Sequence, residues 1–471
     1  MSEQQRSAHL QWQQGALERG TDKVRLRRSL TLMLITLLAP GSAQLVAGSK
    51  RVGHIAIRIW LGLVLLLLAL GAAALVERRW IFDLSTDPTL LLLARFLLVA
   101  LAVGWIALLT DAWRLGDPLR LRRQHRVALV GVNTALCLVT GGGLLFSSHL
   151  VAVQRDFITT VFSDAAASDP HEGRYNVLLL GGDSGKDRWG LRPDSINVAS
   201  VDESTGRTVL FSLPRNLEEV PFAEGSVMAG QFPDGFTCEG CHLNGVYTWA
   251  LEHEELWPGS VEDVGVQATT EAVEGITGLD VNYYAMVNLA GFTDLVDAVG
   301  GVQIDVEKPI PIGGIGSEIE GYIEAGPQRL DGFHALWYAR SRVEDDDYAR
   351  MGRQKCMLTA MLQQLSPATV VLRMQDIATA GKRLIRTDIP ASDLDTFIDL
   401  ALKARSQPVS SVSFVPPRIQ TSDPDFALVR EMVDVALAKA DGSYDPPSDT
   451  GPRKPRGPAA RHTNEDLGST C

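Results

Sequence analysis

Hydrophobic positions along this chain fall into two regimes. In the first third they run in unbroken blocks, and beyond about residue 150 they alternate with polar positions at strand and helix periods. The blocks lie at about 30–48, 55–76, 90–110 and 127–151. Each of the last three has the length, roughly 20 residues, that crosses a bilayer as a helix. The first is interrupted by Pro40-Gly41 and then by Ser42 and Gln44, which breaks a helix midway.

Basic residues predict the orientation of these blocks. Arg25, Arg27 and Arg28 precede the first block, and Lys50, Arg51 and Arg58 follow it. Arg114, Arg120, Arg122, Arg123 and Arg126 lie between the third and fourth, whereas Asp83 and Asp87 lie between the second and third, with Arg78 and Arg79 at the helix end. Four full spans would put the two basic loops outside. With the first block as a re-entrant or interfacial hairpin, both loops and the N-terminus face the cytoplasm and everything after Val151 lies outside. A basic tail of nearly thirty residues, with no small-residue cleavage pattern after the first block, argues against a signal peptide. The expected organisation is a cytoplasmic tail over 1–28, a multi-span helical membrane region over 29–151, a linker over 152–172, a folded domain over 173–440 and a disordered tail over 441–471. Arg95, inside the third block, is read as snorkelling to the outer interface.

Past the linker, Asn176–Leu180, bounded by Gly181-Gly182, reads as a strand, as do Ser195–Val201, Thr208–Leu213, Gly301–Val306 and Val412–Val415. Helical spacing runs over Val261–Ile276, Leu289–Ala298, His334–Arg340, Tyr348–Leu365, Ser392–Ala404 and Asp425–Ala440. Interleaved strands and helices predict a layered α/β or α+β domain. About 270 residues can bury an ample core.

Charge sharpens the picture. Residues 1–150 carry 17 Lys+Arg against 8 Asp+Glu, a balance of +9, and the remainder 27 against 48, a balance of −21. Within that acidic remainder, Arg340, Arg342, Arg350 and Arg353 crowd into one stretch with Gln354. Nucleic-acid binding would predict a basic face over a basic domain, so no nucleic-acid partner is expected. Arg350, Arg353 and Gln354 stand at i, i+3 and i+4, one helix face, and Arg340 and Arg342 point the same way if extended. Guanidinium forks fit phosphate bidentately and keep their charge when desolvated, so the cluster reads as a pyrophosphate grip. The bland reading pairs these arginines with Glu344–Asp347 on a solvated helix, and Asp345–Asp347 itself reads as a solvated loop. His171, His253 and His334 read as surface or packing residues.

Two further groups carry chemistry. Gly181-Gly182-Asp183 puts a carboxylate at a strand tip, with Arg192 and Asp194 following. Two aspartates with an arginine between them suit a magnesium ion and its bridging phosphate. Leu213-Pro214-Arg215 places another arginine just past a strand end.

Taken in order, Asn176–Asp183, Leu191-Arg-Pro-Asp194, Ser212-Leu-Pro-Arg215, Val296–Val302, Leu330–Arg342 and Arg350-Met-Gly-Arg-Gln354 resemble the LytR-CpsA-Psr family over about residues 174–365. The resemblance implies a layered α/β/α sandwich outside the cell, anchored in the lipid bilayer, with a long apolar tunnel. It implies an enzyme that moves an anionic glycopolymer from a polyprenyl-pyrophosphate carrier to a peptidoglycan hydroxyl. Carried over by position, it implies Asp183, Arg192, Asp194 and Arg215 as catalytic residues, Asp183 and Asp194 holding Mg2+. It implies Arg340, Arg342, Arg350, Arg353 and Gln354 around the pyrophosphate.

Two positions depart from the family pattern: Asn216 replaces an acid after Arg215, and His242 replaces a lysine before Leu243-Asn244. Two competing functions use the same grip, a polyprenyl-pyrophosphate pyrophosphatase with water as acceptor and a non-catalytic lipid-pyrophosphate-binding envelope regulator. Cys238, Cys241 and Cys356 fall in the external domain, where oxidation is permitted. Cys238-x-x-Cys241 suggests a redox pair or half a zinc site. The favoured expectation is a structural disulfide from one of that pair to Cys356, tying the loop after Arg215 to the arginine helix.

Overall fold

The computed structural model describes residues 24–76, 86–163, 167–183, 192–314, 318–364, 373, 376–380, 385–444 and 464–466. The chain divides into two compact units, 1–155 and 156–471.

In the first unit, helix α1 (24–38) stops at the Pro40-Gly41 turn and α2 (Ser42–Ala47) follows. Gly41 adopts φ +95°, and a Cβ there would stand 2.6 Å from the Ala56 Cβ, so the turn needs glycine on both counts. The Gln44 amide donates to the Leu108 carbonyl at 3.0 Å and to Asp111 at 3.1 Å. Helices α3 (Lys50–Val76), α4 (Pro88–Leu115) and α5 (Arg123–Val161) are long and apolar enough to cross a membrane. Asp87 caps α4 by accepting from the Thr89 and Leu90 amides. Residues 1–23 of the basic tail, and Arg78, Arg79 and Asp83, lie outside the described residues.

The second unit is mixed α/β. Its strands are β1 (Arg174–Asp183), β2 (Arg192–Asp202), β3 (Thr208–Leu213), β4 (Tyr283–Asn288), β5 (Val302–Val306), β6 (Ile310–Ile312), β7 (Gly321–Ile323), β8 (Gly326–Leu330), β9 (Ile385–Thr387), β10 (Val409–Ser413) and β11 (Asn464–Asp466). Seven form one sheet in the order β11-β10-β3-β2-β1-β4-β9, and β5–β8 and β6–β7 form two-stranded ribbons. β1 runs antiparallel to β2 and parallel to β4, so both strands beside it can present residues to one end. The strand at Tyr283–Asn288 was not predicted. It runs straight into the next helix through Asn288, with no turn residues to mark its end.

The helices are α6 (Val227–Gln231), α7 (Leu243–Glu252), α8 (Val264–Thr277), α9 (Leu289–Val299), α10 (Gly332–Arg340), α11 (Asp347–Gln364), α12 (Leu394–Ala404) and α13 (Phe426–Asp441). Side-chain acceptors cap several of them: Asp263 for α8, Asn288 for α9, Asp331 for α10 and Asp425 for α13. Period-two alternation sorts the sheet's faces. Leu178, Val198, Phe211 and Val412 join the main core with residues of α7, α8 and α13. A second, smaller core gathers Val296, Val302, Ile304, Leu330, Tyr338 and Met357 from α9, α10, α11 and the β5–β8 ribbon.

Two boundaries differ from expectation. Helix α5 continues to Val161, ten residues into the expected linker, because Ile158 and Val161 bury their side chains. Within 441–471, Asn464–Asp466 pair antiparallel with Ser410–Val412 as an edge strand, while 445–463 and 467–471 lie outside the described residues.

Candidate functional site

A cavity of about 270 Å³ lies between the β1–β4 region of the sheet and helices α9, α10 and α11. Leu179, Ala285 and Val287 floor it, and Phe292, Leu336 and Met361 help wall it. Asp194, Arg340, Arg342, Arg350 and Gln354 also line it. A space with apolar walls and convergent cationic groups suits an amphiphile whose head is anionic.

The arginines are held by carboxylates. Arg215 Nη1 donates to Asp194 Oδ1 at 2.5 Å. Asp347 sits among three guanidinium groups: its Oδ1 lies 3.7 Å from Arg215 Nε and 3.5 Å from Arg342 Nη1, and its Oδ2 accepts from Arg350 Nη2 at 3.1 Å. Arg350 Nη2 also donates to the Asp194 carbonyl at 3.1 Å, joining β2 to α11. Arg350 is only 3% exposed and its buried Nε has no hydrogen-bond partner among the described residues. Burial pulls its pKa below the ordinary value, and the Asp347 charge works against that shift. Arg340 closes α10 and stacks over the Trp337 ring at 5.0 Å.

Arg353 is placed differently from Arg350. Its Nε donates to the Tyr338 carbonyl at 2.7 Å, its Nη2 to the Ser341 carbonyl, and its Nη1 to Asp345 at 2.7 Å. It braces the α10–α11 turn and is not part of the cavity wall. At about 100° per residue, position i+3 stands roughly 60° round the helix from i, which turns Arg353 toward α10. Gln354, at i+4, stays on the cavity side and donates to the Ala339 carbonyl at 3.2 Å.

Asp345 and Asp347 are not the solvated loop that the sequence suggested: their side chains are 14% and 22% exposed. Burial disfavours the Asp345 carboxylate, but hydrogen bonds from Lys308 and Arg353 hold it below its ordinary pKa. The role of Asp347 as the hub of three arginines was missed, although Asp347 and Arg350 stand at the i, i+3 spacing that pairs charges on a helix. Also missed was a polar row on the sheet, where Ser212 Oγ donates to Asn197 Oδ1 at 2.7 Å and Asn197 Nδ2 to Ser195 Oγ at 3.0 Å.

Asp183 ends β1 and pairs in register with Arg192, the exposed first residue of β2; a bulge at Gly181/Gly182 shifts the register just before. Asn216 donates to Thr421 at 3.2 Å, and its buried Oδ1 has no hydrogen-bond partner among the described residues. His242 Nδ1 lies 3.7 Å from Glu218. The Leu243 and Asn244 amides donate to the Leu217 and Arg215 carbonyls at 2.9 and 3.0 Å, pinning the loop that aims Arg215.

The expected link from the Cys238/Cys241 pair to Cys356 is not formed. Cys238 and Cys241 bond to each other across a Cα separation of 5.1 Å. Gly240 at φ +74° turns the chain back, and the Cys241 amide donates to the Cys238 carbonyl at 3.0 Å. Cys356 is also disulfide-bonded, to neither of them.

Among the described residues, no group of three or more His, Cys, Asp or Glu could hold a metal ion alone. Asp194 supplies hard carboxylate oxygen at the cavity, a donor that suits magnesium when phosphate oxygens and water complete the shell.

The chain is similar to proteins of known name. Polyisoprenyl-teichoic acid–peptidoglycan teichoic acid transferase TagU of Enterococcus faecalis is 29% identical over 226 residues, 47% of this chain and 63% of that protein. The Bacillus subtilis transferase TagV is 31% identical over 201 residues, 42% and 45% of the two chains. Biofilm regulatory protein A of Streptococcus mutans is 25% identical over 229 residues, 47% and 51%. Each match spans less than two thirds of the relative's length. The crystal structure of B. subtilis TagV aligns at 22% identity with a TM-score of 0.41, covering 59% of this chain and all of that one. The LytR_cpsA_psr family model matches residues 148–423, more than half of the chain, and this protein belongs to that family.

Proposed function

We propose that this protein is a membrane-anchored phosphotransferase that moves an anionic glycopolymer from a polyprenyl-pyrophosphate carrier to a peptidoglycan hydroxyl outside the cell membrane. The observation that carries the reading is the cavity itself: apolar walls, with Arg340, Arg342, Arg350, Gln354 and Asp194 converging on it. The names of the teichoic acid transferases among the relatives support the same substrate class. The basic residues in the first turns of α3 (Lys50, Arg51, Arg58) and around the α4–α5 connection (Arg114–Arg126) support α3, α4 and α5 as three spans that leave the second unit outside.

In this reading the apolar walls take the polyprenyl chain and the arginines take the pyrophosphate. The acceptor hydroxyl oxygen bonds to the phosphorus that carries the glycopolymer, and its proton passes to the departing phosphate. The bond from that phosphorus to the bridging oxygen breaks, and polyprenyl phosphate leaves. Phosphoryl transfer asks for positioning and charge neutralisation more than covalent chemistry. Arg350 supplies a desolvated fork already fixed by Asp347 and the Asp194 carbonyl, so little reorganisation is needed when phosphate arrives. Arg340 and Arg342 flank it, Arg215 keeps Asp194 oriented, and Arg192 stands at the sheet end beside Asp183. Asp194 and Asp183 would hold magnesium, which when bound supplies charge neutralisation at the phosphates.

The test uses the full chain in lipid nanodiscs with a polyprenyl-pyrophosphate-linked glycan, with and without peptidoglycan, with and without magnesium. Transfer that needs acceptor and magnesium, and is lost in Arg350→Ala, is the expected result. Phosphate release without transfer would replace the reading with a pyrophosphatase. Arginine-dependent binding with no turnover would replace it with a binding protein.

A further inference from the structure

Against the α10–α11 turn, whose Arg340 and Arg342 line the cavity, the β6–β7 ribbon carries an aromatic ring that the core does not use. Pro311 and Tyr322 are register partners. Ile310, Ile312 and Ile323 point into the smaller core, so period two turns Tyr322 outward, where it is 45% exposed.

The ribbon is fastened to the α10–α11 turn at two points, and the segment leading into it at a third. Ser341 Oγ, between Arg340 and Arg342, donates to the Pro311 carbonyl at 2.7 Å. Tyr322 Oη donates to Glu344 Oε1 at 3.3 Å. Lys308 Nζ donates to Asp345, whose other oxygen accepts from Arg353 at 2.7 Å. The ribbon's backbone is thus tied to the turn that carries Arg340 and Arg342, while the exposed Tyr322 ring itself takes no part in either arginine's hydrogen bonds among the described residues.

We propose that Tyr322 and Glu344 form a saccharide subsite that takes an uncharged pyranose ring next to the pyrophosphate grip. This rests on the reading above, in which Arg340, Arg342 and Arg350 bind pyrophosphate. A pyranose offers a face of C–H groups and a rim of hydroxyls, matching an exposed aromatic plane with a carboxylate acceptor at its edge. Glu318, Glu320 and Glu324 are exposed nearby in the chain and repel phosphate-bearing units, which favours a neutral ring. The ring can come from two sources, the first sugar on the carrier pyrophosphate or the glycan of the acceptor.

The test measures binding to the full chain in nanodiscs for three probes: sugar-free polyprenyl diphosphate, polyprenyl diphosphate bearing N-acetylglucosamine, and a soluble peptidoglycan fragment. Tyr322→Ala is expected to weaken one sugar-bearing probe about tenfold, the scale of one aromatic contact. Sugar-free binding should not change, Tyr322→Phe should keep most of the affinity, and Glu344→Gln should lose part of it. Loss confined to the second probe assigns the donor sugar, and loss confined to the third assigns the acceptor. Equal weakening of the sugar-free probe, no change with any probe, or a change only in adhesion to empty vesicles would overturn the subsite. If wild type fails to bind sugar-free carrier yet binds the fragment through Tyr322, the subsite stands and the pyrophosphate reading falls.

Discussion

Arg350 and Asp194 meet at the cavity wall through a side-chain-to-backbone bond, Nη2 to the Asp194 carbonyl at 3.1 Å. The Asp194 carboxylate is thereby left for Arg215 on one oxygen. Helix α11 and strand β2 thus fix the same corner of the site from opposite sides. A change at either residue should disturb phosphate binding before it disturbs the fold.

Arg350→Lys keeps the charge and loses the fork. Turnover of a polyprenyl-pyrophosphate substrate is expected to fall about 10²-fold, the scale of one lost charge-stabilising donor. Thermal unfolding should shift less than in Arg353→Lys, because Arg350 serves two acceptors and Arg353 three. Unchanged turnover would remove Arg350 from the site.

Arg353→Lys should behave in the opposite way. Its guanidinium satisfies the Tyr338 and Ser341 carbonyls and the Asp345 carboxylate. A lysine cannot serve all three, and each buried acceptor left bare costs about 1–3 kcal/mol. A lowered denaturation midpoint, with carrier affinity reduced less than in Arg350→Lys, is the expected outcome.

Asp388 sets a pH dependence of stability. Burial pushes its pKa up to about 6, while the Tyr284 amide, donating at 2.7 Å, pulls the other way. The unfolded carboxyl titrates near 3.9. The folded state therefore holds its proton more tightly, and stability falls as pH rises from about 4 through about 6, then levels off. Asp388→Asn should match wild type at pH 4 and unfold a few degrees higher at pH 8. A gap that is the same at both pH values would count against this.

Gly332 lets α9 and α10 touch: a Cβ there would stand 2.2 Å from the Thr293 carbonyl oxygen. Gly332→Ala must push the two helices apart and is expected to cost about 1–3 kcal/mol, as overpacking does. Both helices wall the cavity, so carrier affinity should drop in parallel with stability.

Much of this was readable in the chain. β1, β2 and β3 follow their apolar runs, and the Arg340–Gln354 cluster lines the cavity apart from Arg353. What escaped depends on three-dimensional neighbours. β4 hides because Asn288 passes directly from strand to helix cap. The function of Asp347 needs Arg215 and Arg342, which are distant or differently placed in sequence. The cysteine pairing turned on the local turn at Gly240, which brings Cys241 back beside Cys238. Sequence spacing put Arg353 with Arg350, and only the position of α10 separates them.

The two apolar cores are separate clusters, and the cavity lies along the seam between them. Helices α9, α10 and α11 thus face the sheet across the cavity's apolar walls. A lipid chain seated there would act as mortar, adding apolar contacts to the sheet on one side and to the three helices on the other. Amide exchange in these three helices should then slow when the carrier is bound, while α7, α8 and α13 on the other face exchange at an unchanged rate.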